Sequence, residues 1–341
     1  MALDRIHSRT PTIGLVGSGT LLGREIRDLL TAPEFPARVR LIASEDAEAG
    51  TLTEQSGEPT VIHLLDSAGL SESKVTLFAG SAASTLKALA FASSTIPVDL
   101  TFATTGLANA RLRAPFLEQV PPPAPAEGTI HTIAHPAAIA LALFLRRLAA
   151  YGPVVRTVVQ ALVPAGERGF PGLEELQAQT TNLLVFKNLP KAVFDAQVSF
   201  NLLAAYGEEA PESLAATETI IEGHLATLLS MQPGVPMPSL RAVQAPVFHG
   251  YSFSVWAQFE APPDVAELER ALASDHIDVR GRTLEPPNIV AMAGESGISV
   301  GAISLDRRDP NACWFWIAAD NILLAAHNAV AVAGQLIGVD Q

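Results

Sequence analysis

The first residues with chemical potential are glycines. Gly17, Gly19 and Gly23 follow the apolar run Thr12–Val16 in a Gly-x-Gly-x-x-x-Gly spacing. They precede a helical pattern with apolar residues at Leu21, Leu22, Ile26, Leu29 and Leu30. Strand, glycine turn and helix in that order are the context for dinucleotide binding. One glycine permits the tight turn, another lets a pyrophosphate approach the backbone, and a third lets helix and strand pack closely. The N–H groups of the first helical turn then face the phosphates. The spacing is one residue longer than the usual fingerprint, and a plain strand-to-helix turn is the competing explanation. Ser44, Glu45 and Asp46 stand after the second strand. An acidic side chain there accepts from a ribose 2′-hydroxyl and repels a 2′-phosphate, so Asp46 favours NAD over NADP.

Other reactive side chains are sparse. Cys313 is the only cysteine and lies in the apolar run Ala312–Ile317, which reads as a buried strand. One thiol cannot form an internal disulfide, and a buried cysteine behaves as a small hydrophobe. His135 and His249 form no HxH or HxxxH pair with each other and have no carboxylate at ligand spacing, so no metal site is expected from them. His63, His131, His224, His276 and His327 read as ordinary surface, strand or helix residues. The pairs Glu174–Glu175 and Glu208–Glu209 read as solvated helix starts, and Trp314, Phe315 and Trp316 as core.

The elements that would position these groups fall into two textures. Up to about residue 130, the strand candidates Thr12–Val16, Val39–Ala43, Lys74–Ala79 and Ile96–Leu100 alternate with helical segments, which predicts a doubly wound parallel sheet. The proline run Pro121–Pro125 marks a boundary or surface loop. Beyond it, a helix from about Ala137 to Ala150 precedes strands at Val154–Val163, Ser239–Val247 and Tyr251–Phe259. Those strands predict a mostly antiparallel sheet with helices on one face. The final helix, Asn321–Ile337, is apolar on nearly every face and must be buried.

Several segments occurring in order resemble a known family: Val16–Gly23, Leu41–Glu45, Phe78–Ser81, Glu174–Leu176, Phe200–Asn201, Pro246–Ser252 and Ala319–Asn321 followed by Asn328. Over nearly its full length the chain resembles aspartate-semialdehyde dehydrogenase. The resemblance implies a Rossmann-type NAD(P)-binding domain over residues 1–133, completed by the C-terminal segment 318–341. It also implies an α+β catalytic and dimerisation domain over 134–317, and a homodimer. The cofactor-binding candidates are Gly17, Gly19, Thr20, Leu21, Leu22, Gly23, Ser44, Gly80, Ser81 and Asn321.

The family's chemistry carries over poorly. The resemblance sets Ala138, within Ile133–Ile139, at the position of the family's cysteine nucleophile, and alanine has no atom that attacks a carbonyl. The family's acid/base histidine corresponds to Tyr251, a poor base near neutrality. A substrate-binding arginine corresponds to Gln244 and a lysine to Leu214, while the basic residue for the cofactor 2′-phosphate corresponds to Asp46. Gln160 is the one polar substrate-site residue retained. His135 and His249 fall near the same site by this correspondence, and capping and turn roles are their alternatives.

Three readings stay open. The chain is a nucleotide-binding homodimer without the phosphorylating aldehyde dehydrogenase activity; or a non-phosphorylating NAD-dependent oxidoreductase on an unidentified carbonyl, using Tyr251, His135 and Gln160; or a structural partner protein with no nucleotide site. Composition narrows the setting. With 22 Lys+Arg against 35 Asp+Glu, a net charge of −13 and 341 residues, the chain has the length of about two domains. It lacks the basic stripe that nucleic acid or an anionic membrane requires. No leader-like apolar segment is visible near Met1, and the single cysteine fits a cytoplasmic protein.

Overall fold

The computed structural model describes residues 10–55, 57–118, 126–231 and 234–338. The first nine residues and the proline run Pro121–Pro125 lie outside them. The chain divides into two compact units, Met1–Ala134 with Ala325–Gln341, and His135–Leu324.

The first unit holds β1 (Thr12–Val16), α1 (Leu21–Leu30), β2 (Arg38–Ile42), the hairpin β3 (Leu52–Gln55) and β4 (Glu58–Val61), α2 (Ser67–Ser71), β5 (Val75–Phe78), α3 (Ala82–Leu89), β6 (Ile96–Asp99), β7 (Ala110–Arg113) and β8 (Ile130–Ile133). The main sheet has the order β2-β1-β5-β6-β8-β7 and every pairing is parallel. Parallel strands buried on both faces read as continuous apolar runs. Ile13, Leu15, Val75, Leu77 and Val98 pack on one side with Ala326, Ala329, Val330 and Ala333 of the last helix. Val16, Ile42 and Phe78 pack on the other side with Leu70 and Ala88. From β1 the chain winds outward to β2 and then returns to β5 on the opposite side of β1. In such sheets the usual ligand position lies at that reversal, beyond the carboxyl ends of β1 and β5.

The second unit holds α4 (Pro136–Tyr151), β9 (Val154–Val163), α5 (Gly169–Leu184), α6 (Leu214–Ser230), β10 (Ser239–Gln244), β11 (Tyr251–Phe259), α7 (Val265–Leu272), β12 (Ile277–Arg280), β13 (Ile298–Leu305), β14 (Ala312–Ala319) and the start of α8 (Asn321–Ile337). Its sheet order is β10-β9-β11-β14-β13-β12. The three central pairings are antiparallel, but both edge pairings, β10 with β9 and β12 with β13, are parallel. The sheet is therefore mixed. Residues 164–238, containing α5 and α6, carry the chain from β9 across to β10, and a crossover of that length permits a parallel pairing.

α4 is buried from Pro136 to Leu145 without a break, because it lies against α6, α7 and β9. Phe144 meets Phe315 edge-on at 5.0 Å. Along β9, Thr157, Val159, Ala161 and Val163 point inward, while Arg156, Val158 and Gln160 point out. Trp256 and Trp314 are directly paired across β11 and β14 and share that outward face. Trp314 is exposed and Trp316 half-buried, so only Phe315 of that aromatic group belongs to the core.

Candidate functional site

In the first unit, three turns meet at the switch point. Gly17 has φ +81, and a Cβ there would lie 2.5 Å from Gly80 Cα. A Cβ on Gly80 would lie 2.6 Å from Ser44 Cβ, and one on Gly23 would lie 2.0 Å from Gly17 O. Only glycine satisfies these close approaches and the left-handed backbone at Gly17. Thr20 caps α1: its Oγ1 accepts from Gly23 N at 2.9 Å. Within the helix no carbonyl reaches the N–H groups of Leu21 and Leu22, the first two residues of α1. Ser81 caps α3 by accepting from Ser84 N at 3.1 Å. Gly19 is exposed, and a Cβ on it would meet only Glu48 Oε1, at 3.7 Å. The residues fit a dinucleotide: bare backbone at Gly19 beside two capped helix starts.

The acidic residues after β2 divide their tasks. Asp46 pairs with Lys87 Nζ at 3.0 Å on the surface. Glu48 folds back instead, and its Oε2 accepts from Ser44 N at 2.7 Å, Ser44 Oγ at 3.0 Å and Glu45 N at 3.2 Å. The carboxylate beside the glycine turn is Glu48, where the sequence pointed to Asp46.

In the second unit, a buried polar cluster lies at the start of α4. His135 is the N-cap and Pro136 the first helical residue, a position that costs proline nothing because its missing N–H would be unpaired anyway. His135 Nδ1 accepts from Ala137 N at 3.2 Å. A backbone N–H only donates, so the ring proton sits on Nε2, which meets Glu167 Oε1 at 2.9 Å. Tyr251 Oη donates to Glu167 Oε2 at 2.8 Å. The His135 and Tyr251 rings approach edge-on at 6.0 Å. Glu167 stands in the 3-10 turn Ala165–Arg168 after β9, and Gly166 N bonds Phe248 O at 2.8 Å to tie that turn to the loop before β11. Below, His224 Nδ1 of α6 accepts from His135 N at 3.0 Å.

Three groups of this cluster are shifted by their surroundings. Burial alone would raise the Glu167 carboxyl, but His135, the Tyr251 hydroxyl and the Arg168 guanidinium outweigh it and hold it at about 2. Burial, then the Glu167 charge, push Tyr251 well above its usual value. Burial, with His135 adding, lowers His224 to about 4. Glu167, Tyr251 and His224 are thus each held away from their ordinary values.

The expected site residues do not all converge. Ala138 is fully buried in the first turn of α4. Tyr251 and His135 meet at Glu167, but Gln160 does not join them. Gln160 pairs with Ser254, one strand position out of phase with Tyr251, so it points to the opposite face of the sheet and is exposed there. His249 is exposed, with its ring against the Gly166 backbone. Asn321 Oδ1 accepts from Gly250 N at 2.9 Å, fixing the turn that precedes Tyr251. Gln244 is fully buried, donating to Val163 O and Ala245 O and accepting from Tyr206 Oη. Leu214 is core. Cys313 is buried, and burial raises its thiol to about 11. Among the described residues, no group of three His, Cys, Asp or Glu side chains could hold a metal ion, and no helix is long and apolar enough to cross a membrane.

Sequence reasoning missed Glu167, His224 and Arg168. Arg168 lies over the Tyr206 ring at 5.5 Å, donates to Thr217 Oγ1 at 2.5 Å and pairs with Glu212. No local pattern marks any of the three, since each acts across a fold contact. The adjacency of Glu167 and Arg168 to the retained Gln160–Gly166 segment was the one available hint.

Comparison with known proteins agrees with this architecture. A family model described as "Semialdehyde dehydrogenase, dimerisation domain" matches residues 145–324, more than half of the chain. A Pseudomonas aeruginosa "USG-1 protein homolog" is 33% identical over 178 residues, 52% of each chain; the match spans about half the length of that relative. An aspartate-semialdehyde dehydrogenase of Prochlorococcus marinus is 27% identical, with 96% of each chain covered. The solved structure of a probable aspartate-semialdehyde dehydrogenase from Pseudomonas aeruginosa superposes with a TM-score of 0.84 at 27% identity, covering 97% of this chain and 99% of that one. The matched region contains β9, the Glu167 turn and the whole mixed sheet up to the first turn of α8, and on that ground the chain belongs to the semialdehyde dehydrogenase family.

Proposed function

We propose that this chain is a nucleotide-binding homodimer of the semialdehyde dehydrogenase fold that does not perform cysteine-dependent aldehyde phosphorylation. One observation carries the reading: the start of α4, where the resemblance puts the family's thiol, holds fully buried Ala138 and a hydrogen-bonded His135–Glu167–Tyr251 cluster. A thiolate nucleophile needs a low pKa and access, and Cys313 has neither. The Tyr251 proton is committed to Glu167, and Gln160 faces away, so the cluster serves as a buried brace between α4, β11 and the Glu167 turn. A dinucleotide, when bound, would bring a hydride acceptor; this chain's part is to receive the pyrophosphate at Gly17–Gly23 and Gly80–Ser81.

The outward face of the second unit's sheet supports self-association. Val158 and Trp314 are exposed on it, and Asp306 Oδ2 holds the Trp256 and Trp314 indoles at 3.0 and 2.8 Å. Apolar groups collected on one sheet face mark an interface. The lone cysteine supports a cytoplasmic setting. The decisive experiment assays purified protein for phosphate-dependent oxidation of aspartate semialdehyde with NAD and with NADP. The expected rate equals the blank, and turnover above it overturns the proposal.

A further inference from the structure

Glu48 belongs neither to the sheet nor to the buried brace, yet it is anchored more firmly than the acidic residues beside it. Three donors at the end of β2 converge on its Oε2: Ser44 N at 2.7 Å, Ser44 Oγ at 3.0 Å and Glu45 N at 3.2 Å. That leaves Oε1 turned toward the glycine turn, 3.7 Å from where Gly19 would carry a Cβ. In a doubly wound sheet the adenosine ribose of a dinucleotide lies between the glycine turn and the end of the second strand, where a carboxylate accepts from its hydroxyls. We infer that Glu48 is the residue that selects the dinucleotide, taking a free adenosine ribose and rejecting one that carries a 2′-phosphate.

Two effects combine. The carboxylate is a fixed negative charge where a 2′-phosphate would bring roughly two more, and like charges set together in a binding site are strongly disfavoured. It also occupies the N–H and hydroxyl groups of Ser44 and Glu45, donors that a phosphate would otherwise use. Of the nearby cations, Lys87 pairs with Asp46 at 3.0 Å, and Arg24 donates from Nε to Gly19 O at 3.2 Å within the glycine turn. Asp46 cannot take over the role while it faces Lys87.

The inference rests on the nucleotide reading proposed above, and the test separates the two. NADH and NADPH are titrated into the full-length protein by calorimetry or nicotinamide fluorescence, for the native chain, Glu48→Gln and Glu48→Ala. The native chain is expected to bind NADH on the order of tenfold or more tighter than NADPH. Glu48→Ala is expected to narrow or reverse that ratio by a similar factor, chiefly by gaining NADPH affinity. Glu48→Gln keeps the shape of the turn and loses the charge, so it should gain NADPH affinity as well. Native preference for NADPH, or a ratio unchanged in both variants, overturns the Glu48 inference and leaves the nucleotide reading standing. Binding of neither dinucleotide by any of the three proteins overturns the nucleotide reading and this inference with it.

Discussion

Tyr251 donates its phenolic proton to Glu167 at 2.8 Å, joining the first residue of β11 to a 3-10 turn 84 positions earlier in the chain. The other carboxylate oxygen of Glu167 meets His135, so one half-buried anion fastens three separate segments. Hydrogen bonds to a charged group contribute about 1.5–3 kcal/mol each. Glu167→Gln retains one acceptor and loses the charge, and should lower unfolding stability by about 2 kcal/mol in urea titrations. Tyr251→Phe should cost about 1–2 kcal/mol and leave dinucleotide affinity unchanged. A Glu167→Gln protein as stable as the native chain would mean the cluster braces nothing.

Acid should weaken the protein in two stages. His131 and His224 are both lowered to about 4, chiefly by burial, from an ordinary value of 6.5. Their geometry agrees, since each Nδ1 faces a donor: Arg113 Nη1 at 3.2 Å for His131, and His135 N for His224. The unfolded chain therefore binds more protons between those values, and stability falls as pH drops from about 6.5 toward about 4. The slope is at most about 1.4 kcal/mol per pH unit for each histidine. Below about 4.5 the loss continues as Glu167, at about 2 in the fold and near 4.5 when exposed, takes its proton in the unfolded state. Urea midpoints at pH 7.5, 6 and 5 test this. His224→Asn, whose side-chain oxygen can replace Nδ1, should reduce the slope by about one proton. Stability that stays flat from pH 7.5 to 5 would contradict the assignment.

The thiol should be silent. Cys313 is fully buried, and its pKa is about 11, so a thiol-specific chromogenic reagent should find no reactive group in the native protein within minutes and one after denaturation. Rapid labelling of the folded chain would break the case against cysteine chemistry.

Gly17 is expected to tolerate no side chain. Gly17→Ala combines a left-handed backbone with a Cβ 2.5 Å from Gly80 Cα, and should cost more than about 1 kcal/mol. It should also abolish dinucleotide binding, measured by the same titrations at a temperature where the variant remains folded. Undiminished affinity would remove the glycine turn from the nucleotide site.

Self-association should depend on the exposed sheet face. Val158→Glu or Trp314→Glu places a charge on it and should shift the protein from dimer to monomer in light scattering at micromolar concentration. A native chain that is already monomeric would refute the homodimer.

Periodicity and turn chemistry alone determined much of this molecule. The glycine turn, the alternation of strands with helices in the first unit, the full extents of β9 and β11 and the apolar character of α8 are local properties, set by side-chain period and by residues that only certain backbone shapes accept. The absence of a usable thiol was equally plain, because a single cysteine in an apolar run needs no fold to interpret. What the tertiary structure decided were relationships between distant segments. β9 carries apolar residues in both phases, with Val158 and Leu162 against Val159 and Ala161, so its sequence could not say which face Gln160 occupies. The inter-strand register with β11 decided it, and separated Gln160 from Tyr251. Glu45, Asp46 and Glu48 are three carboxylates within four positions, and the path of one short turn selected Glu48 to face the glycines. Glu167 and His224 gained their roles from partners 32 to 89 residues away, where chain closure, and no local preference, brings donor and acceptor together.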